Sequence, residues 1–204
     1  MNEEKIEFLW YSLSNNMSIL EFDFDHDVYN DLHLRTLEAV KMELDRNKII
    51  KEELIPGQTH WKDLLTTFQK KQAYRRLNLE GMKLHHRIDP ALKLIKLRKC
   101  QNINLSKTRL EKECIKELVE FITSDENDSQ ITELNLSKNL EFDHETFTEL
   151  AKLWKEPGCT LKSMNLDMCE MNNNDLLEIL SAMKESMKFE NLSVRKNEIH
   201  LEEE

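Results

Sequence analysis

Ile131-Thr-Glu-Leu134-Asn-Leu136-Ser-Lys-Asn139 places apolar residues at its first, fourth and sixth positions and an asparagine at its ninth. Phe189-Glu-Asn-Leu192-Ser-Val194-Arg-Lys-Asn197-Glu-Ile199 repeats that order and adds an apolar residue at the eleventh. Three more stretches keep the spacing but not the asparagine: 74–84 with Met82 at the ninth position, 100–110 with Thr108 and 161–171 with Cys169. In the stretch that opens at Ile131 the last apolar residue is displaced by one, to Phe142. The openings at Tyr74, Cys100, Ile131, Leu161 and Phe189 fall 26, 31, 30 and 28 residues apart. An apolar pattern that returns with such a period marks a repeat architecture, whose units stack because none can bury its apolar side alone.

Each step leaves room for a helix between strands, and the intervening stretches have helical spacing. Residues 111–123 carry Ile115, Leu118, Val119 and Ile122 on one face, and 144–155 carry Phe147, Leu150, Ala151 and Trp154. In 174–187 the expected inward set is Leu176, Leu177, Leu180 and Met183. A shorter helix over 88–97 opens near Asp89-Pro90, a favourable start. Asp143 is placed to cap the helix after it, and Asn174 or Asp175 the next.

Towards the N-terminus the pattern weakens. Residues 3–15 read as a helix with Ile6, Leu9, Trp10 and Leu13 on one face. The stretch 19–29 fits the repeat with Phe22 and Phe24 at leucine positions and Asp27 at the asparagine position. A helix over 31–47 has Leu34, Leu37, Val40 and Leu44 as its inward set. Residues 49–59, with a Pro56-Gly57 turn, sit where a further strand is due but fit poorly, so a degenerate unit or a break is expected there. A helix over 60–73 with Trp61, Leu64, Leu65 and Phe68 follows. The chain is thus read as one array over 1–204, irregular at 49–73 and best formed over 74–199.

These units resemble leucine-rich repeats of the ribonuclease-inhibitor type, the helix-rich class found in ribonuclease inhibitor, NOD-like receptors, tropomodulin and the Ran GTPase-activating protein. The run Glu156-Pro157-Gly158-Cys159-Thr-Leu161-Lys-Ser-Met164-Asn-Leu166-Asp-Met-Cys169 is especially similar to the inhibitor and receptor repeats. The resemblance implies an α/β solenoid with parallel strands on a concave face and helices on a convex face. It implies that Asn139 and Asn197 are buried at turns, bonding neighbouring backbone, with Thr108 and Cys169 as weaker substitutes and a looser turn at Met82.

It also implies that a partner binds on the solvent-facing strand positions. The middle row of these reads Asp23, Asn78, Asn104, Asn135, Asn165 and Ser193; the row before it reads Glu21, Arg76, Asn102, Glu133, Ser163 and Asn191. The row after reads Asp25, Glu80, Ser106, Ser137, Asp167 and Arg195. This surface is polar and mildly acidic, and it has no Trp, Tyr or Phe, so Arg76 and Arg195 are its obvious anchors. The candidate partner-binding residues are Arg76, Asn78, Asn104, Glu133, Asn135, Asn165, Asp167 and Arg195. A polar or basic protein partner is expected, held by a non-enzymatic scaffold. Other readings stay open: a small-GTPase regulator resembling the Ran GTPase-activating protein, a fragment of a NOD-like sensor, or a secreted bacterial effector acting on a host protein.

Composition narrows the classes. The net charge of −10 argues against a nucleic-acid partner. Charge is unevenly spread: residues 61–112 carry fourteen Lys and Arg against four Asp and Glu, read as a solvated surface complementing acidic flanks. No stretch is apolar enough for a membrane span, and the acidic start at Met1 lacks the features of a signal peptide, so a cytoplasmic location is expected. Cys100, Cys114, Cys159 and Cys169 show no paired spacing and are expected to be reduced. The Asn-x-Ser triplets at Asn104, Asn135 and Asn191 are by-products of the repeat. No metal or cofactor is expected. His85-His86 point apart in regular structure, and the acidic run from Asp23 has Val28 and Leu34 where a calcium loop needs glycine and glutamate. No catalytic motif is present. The last stretch, Leu201-Glu-Glu-Glu204, follows a strand directly. The tail is expected to cap the array, to leave the last strand for self-association, or to continue into further units; it also looks like acidic export signals of some type IV secretion effectors.

Overall fold

A computed structural model describes residues 31–54, 75–124, 130–184 and 189–200. The chain forms two compact units, Met1–Lys70 and Lys71–Glu204. The segments expected at 3–15, 19–29 and 60–73 and the tail at 201–204 lie outside the described residues.

In the first unit, α1 (Asp31–Lys48) runs into a π-helical turn, Ile49–Leu54. The helix expected over 31–47 is present, and its basic last turn, Arg46 and Lys48, complements the helix dipole. Of the expected inward set, Leu34, Leu37 and Val40 have side chains outside the described ones, and only Leu44 can be compared. Leu44 is only half-buried, whereas Glu43, Arg46 and Asn47 are buried. Their burial is offset in part by mutual contacts: Arg46 forms an ion pair with Glu43 and donates from Nη2 to Asn47 Oδ1 at 2.6 Å. Ile50 and Leu54 are buried within the π-helical turn, which occupies the start of the stretch where the repeat pattern calls for a strand.

The second unit is an α/β arrangement of repeated form. Its strands are β1 (Arg76–Asn78), β2 (Asn102–Asn104), β3 (Glu133–Asn135), β4 (Ser163–Asn165) and β5 (Asn191–Ser193). They pair in parallel in the order β1-β2-β3-β4-β5, each beside its neighbour in sequence. The register matches the repeat alignment: Leu77, Ile103, Leu134, Met164 and Leu192 face one another across the sheet. The first four are buried, so their neighbours in each three-residue strand face the other side. The ladder continues past the strands. Leu79, Leu105, Leu136 and Leu166 donate from their backbone N to the carbonyls of Asn104, Asn135, Asn165 and Ser193 at 2.8 to 2.9 Å.

The helices are α2 (Asp89–Arg98), α3 (Lys112–Thr123), α4 (His144–Lys155) and α5 (Asn173–Met183). Pro90 sits in the first turn of α2, where its missing N–H costs nothing. The expected faces of α3 and α4 are buried, with Cys114 and Leu153 added. Phe142, the displaced apolar residue, is buried with its ring edge-on to Phe147 at 6.0 Å. Trp154 meets Phe189 edge-on at 5.1 Å. Fully burying one such aliphatic or aromatic side chain contributes roughly 1.5–3 kcal/mol.

Asp143 caps α4 in a reciprocal box with Thr146, as its position suggested. The cap of α5 is Asn172, not Asn174 or Asp175: Asn172 Oδ1 accepts from the backbone of both, and Asp175 Oδ2 accepts from Asn172 N at 2.9 Å. Asp175 is buried, and its Oδ1 lies 2.7 Å from His144 Nδ1, which ties the start of α5 to the start of α4. The inward face of α5 also differs from expectation. Asp175, Ile179 and Ala182 are buried, Leu176 and Met183 are half-buried, and Leu177 and Leu180 are 60% and 40% exposed. Spacing alone cannot choose between faces here, because polar Asp175 goes inside as the partner of its own cap.

The ninth positions join the units. Asn139 is buried; its Nδ2 donates to the carbonyls of Leu105 at 3.0 Å and Leu136 at 2.8 Å, and its Oδ1 accepts from Thr108 N and Leu110 N. Asn197 repeats this between β4 and β5, with Leu166, Val194, Cys169 and Met171 as partners. At Thr108 and Cys169 the substitutes are weaker. Thr108 Oγ1 donates to Leu105 O at 2.6 Å, and Cys169 Sγ to Leu136 O at 3.3 Å. With no amide at position 108, Met82 N turns to Leu79 O and Leu84 N to Thr108 O. The residue before each ninth position is left-handed: Gly81, Lys107, Lys138, Met168 and Lys196 have φ between 56° and 80°. Only one of them is glycine, so four units hold an L side chain where it costs on the order of 1 kcal/mol.

Among the described residues, no helix is long and apolar enough to cross a membrane.

Candidate functional site

Two rows of side chains occupy the side of the sheet opposite the buried leucines. Arg76, Asn102, Glu133, Ser163 and Asn191 align in one row, and Asn78, Asn104, Asn135, Asn165 and Ser193 in the other. Parallel strands at a spacing of about 4.8 Å set the rungs of both rows.

The asparagine row has a local task. Asn78 Oδ1 accepts from Glu80 N, Asn104 Oδ1 from Ser106 N, Asn135 Oδ1 from Ser137 N and Asn165 Oδ1 from Asp167 N, at 2.8 to 3.0 Å. Each bond closes a turn as the chain leaves its strand, the conformation for which asparagine is favoured. The donor is a backbone N–H, so the atom facing it must be the oxygen, and the amide orientation is fixed by chemistry. Among the described residues, no group accepts from the Nδ2 of Asn104, Asn135 or Asn165. Ser193 has no amide, and the fifth turn is closed from the neighbouring unit: Asp167 Oδ1 accepts from Arg195 N at 2.7 Å and from Ser193 Oγ at 2.6 Å.

These rows line two shallow depressions. One, of ≈ 290 Å³, holds Arg76, Asn78, Asn104, Glu133, Asn135 and Asn165 of the expected binding set together. The other, of ≈ 540 Å³, holds Asn165 and Arg195. Both include Ser163 and Asn165, so they form one trough across the five strands. Asp167 lines neither; its carboxylate serves the fifth turn instead. Asn102, Ser163 and Asn191 line the trough as well. Row alignment already placed them on the surface, but an emphasis on the asparagines and charged residues passes over them. Arg76, Glu133 and Arg195 are exposed, and among the described residues none has a charged partner.

The chemistry is that of hydrogen-bond donors and a few charges. Cys100, Cys114 and Cys169 are buried, and burial pushes each thiol up to about 11, so they stay protonated and poorly nucleophilic at neutral pH. Cys159 is also buried and forms no disulfide. His85 lies in a turn and its carbonyl accepts from Cys114 Sγ at 3.0 Å. Among the described residues no group of three or more His, Cys, Asp and Glu side chains could hold a metal ion. No family model matches the sequence, and no curated protein is similar enough to it to count as a relative.

Proposed function

We propose that this chain is a leucine-rich repeat protein of the ribonuclease-inhibitor-like class and a non-enzymatic scaffold that holds a protein partner on the solvent-facing side of its sheet. In this reading the five-stranded unit is a solenoid, the trough lies on its concave face, and α2 to α5 form the convex face. The observation that carries it is the continuous trough. Five strands in sequence order align two rows of polar side chains, and six of the eight expected binding residues meet in one depression. The asparagine bridges of Asn139, buried, and Asn197, half-buried, support the class assignment, since they supply the inter-unit bonds that the repeat requires of that position. The partner is a protein rather than nucleic acid, given the net charge of −10. The working compartment is the cytoplasm, where four buried thiols remain reduced.

Binding is tested by filling the trough at residues that bond no backbone. Asn102→Trp and Ser163→Trp are expected to abolish partner capture from lysate while leaving Tm unchanged. Capture that persists in both variants, with the fold intact by circular dichroism, would remove the trough as the binding face.

A further inference from the structure

We infer that the trough selects an acceptor-bearing peptide segment: one that runs across the strands, is acidic at its two ends and is uncharged in the middle. This rests on the reading of the trough as a protein-binding face. By composition the face is polar and mildly acidic, which suggests a basic partner. Hydrogen bonding shifts the balance of the asparagine row towards donors. Asn104, Asn135 and Asn165 each already commit one oxygen lone pair to the backbone of their own turns, whereas none of their Nδ2 groups has an acceptor among the described residues, so their unsatisfied donors stand in register on three consecutive strands. Asp167, in the turn after β4, has an oxygen committed to Arg195 N and Ser193 Oγ.

The cations stand at the two ends of the trough. Arg76 is on β1 and Arg195 follows β5, both exposed and, among the described residues, without a carboxylate partner. Four strand spacings separate these units, on the order of 19 Å. Glu133, on the middle strand, is the acidic residue that lines the depression, and it disfavours a carboxylate opposite the centre. An extended segment of about six residues spans a similar length, roughly 17 Å between its end residues. Its carbonyls accept from the asparagine donors and its terminal carboxylates meet the two guanidiniums.

The test uses two capped hexapeptides, Glu-Ser-Ser-Ser-Ser-Glu and Lys-Ser-Ser-Ser-Ser-Lys, titrated into the full chain labelled with nitrogen-15. The acid-ended peptide is expected to shift the side-chain amide signals of Asn104, Asn135 and Asn165. It should bind about tenfold more tightly than the lysine-ended one, the size expected of two exposed charge contacts changed from favourable to unfavourable. Arg76→Ala with Arg195→Ala should erase that preference. Asn135→Asp with Asn165→Asp keeps the oxygen that closes each turn but replaces the donor with a charge, so it should weaken the acid-ended peptide at unchanged Tm. Equal or tighter binding of the lysine-ended peptide, or three amide signals unmoved by either peptide, overturns the inference. The broader reading fails separately. If Ser163→Trp abolishes partner capture while the aspartate variant strengthens it, the trough binds a protein but of the opposite chemistry. If Ser163→Trp leaves capture intact, the trough is not the binding face.

Discussion

The two sets of asparagines, one at strand ends and one at turn centres, do different work with the same side chain. Asn78, Asn104, Asn135 and Asn165 each accept one bond from a backbone N–H two residues on, and they remain half-buried. Asn139 reaches from its own turn to the previous unit, accepts from two backbone N–H groups and donates to two carbonyls. The first set shapes a turn locally, whereas the second joins one unit to the next. The sequence separation of a side chain's partners, more than its residue type, decides how much of the fold depends on it.

The largest expected effect therefore belongs to Asn139. Asn139→Leu leaves the buried N–H groups of Thr108 and Leu110 without their acceptor and removes one of the two donors to the carbonyls of Leu105 and Leu136, and it should cost about 2–4 kcal/mol. Urea denaturation of the variant beside the parent chain measures this. Asn197→Leu should cost less, because Asn197 makes the same bonds half-buried and water can replace them. Equal losses at the two sites would show that burial does not set the difference. Asn135→Ala should cost roughly 0.5–1 kcal/mol, one exposed-side hydrogen bond, while Asn135→Asp should lie near zero. Lys138→Gly, beside Asn139, relieves a left-handed backbone and should raise stability by less than about 1 kcal/mol, since glycine also gains freedom in the unfolded chain.

A pH titration sharpens the same contrast at the helix caps. Hydrogen bonds from the Thr146 hydroxyl and then its backbone N–H hold Asp143 below its ordinary 3.8. Its contribution is thus complete above that value and is lost as pH falls through the lower folded value. Asp143→Asn should flatten the acid limb of the stability curve without changing the profile above pH 5.

The register of the sheet was legible because the apolar positions recur at fixed spacing, and a slip of one residue would turn Leu77 or Leu134 outward. The faces of α3 and α4 were legible for the same reason. The cap of α5 was not, because Asn172, Asn173, Asn174 and Asp175 are all capable residues and only the backbone path selects Asn172. The exposure of Leu177 and Leu180 depends on which face of α5 its neighbours cover, which helical spacing does not encode. At the candidate site, the row of trough residues could be read from alternation. The occupancy of their oxygens could not, although an asparagine at the last strand position, two residues before a turn, is a signal for such a bond.

One consequence concerns chemical ageing. Conversion of an asparagine to aspartate changes the mass by about one dalton and barely alters shape, yet the two sets would record it very differently. At Asn135 the turn keeps its acceptor and only the surface charge changes. At Asn139 the new oxygen would face the carbonyls of Leu105 and Leu136, now 3.0 and 2.8 Å from a donor, and would bring a buried charge between two units. The same lesion would be a blemish on the surface and a fracture in the stack.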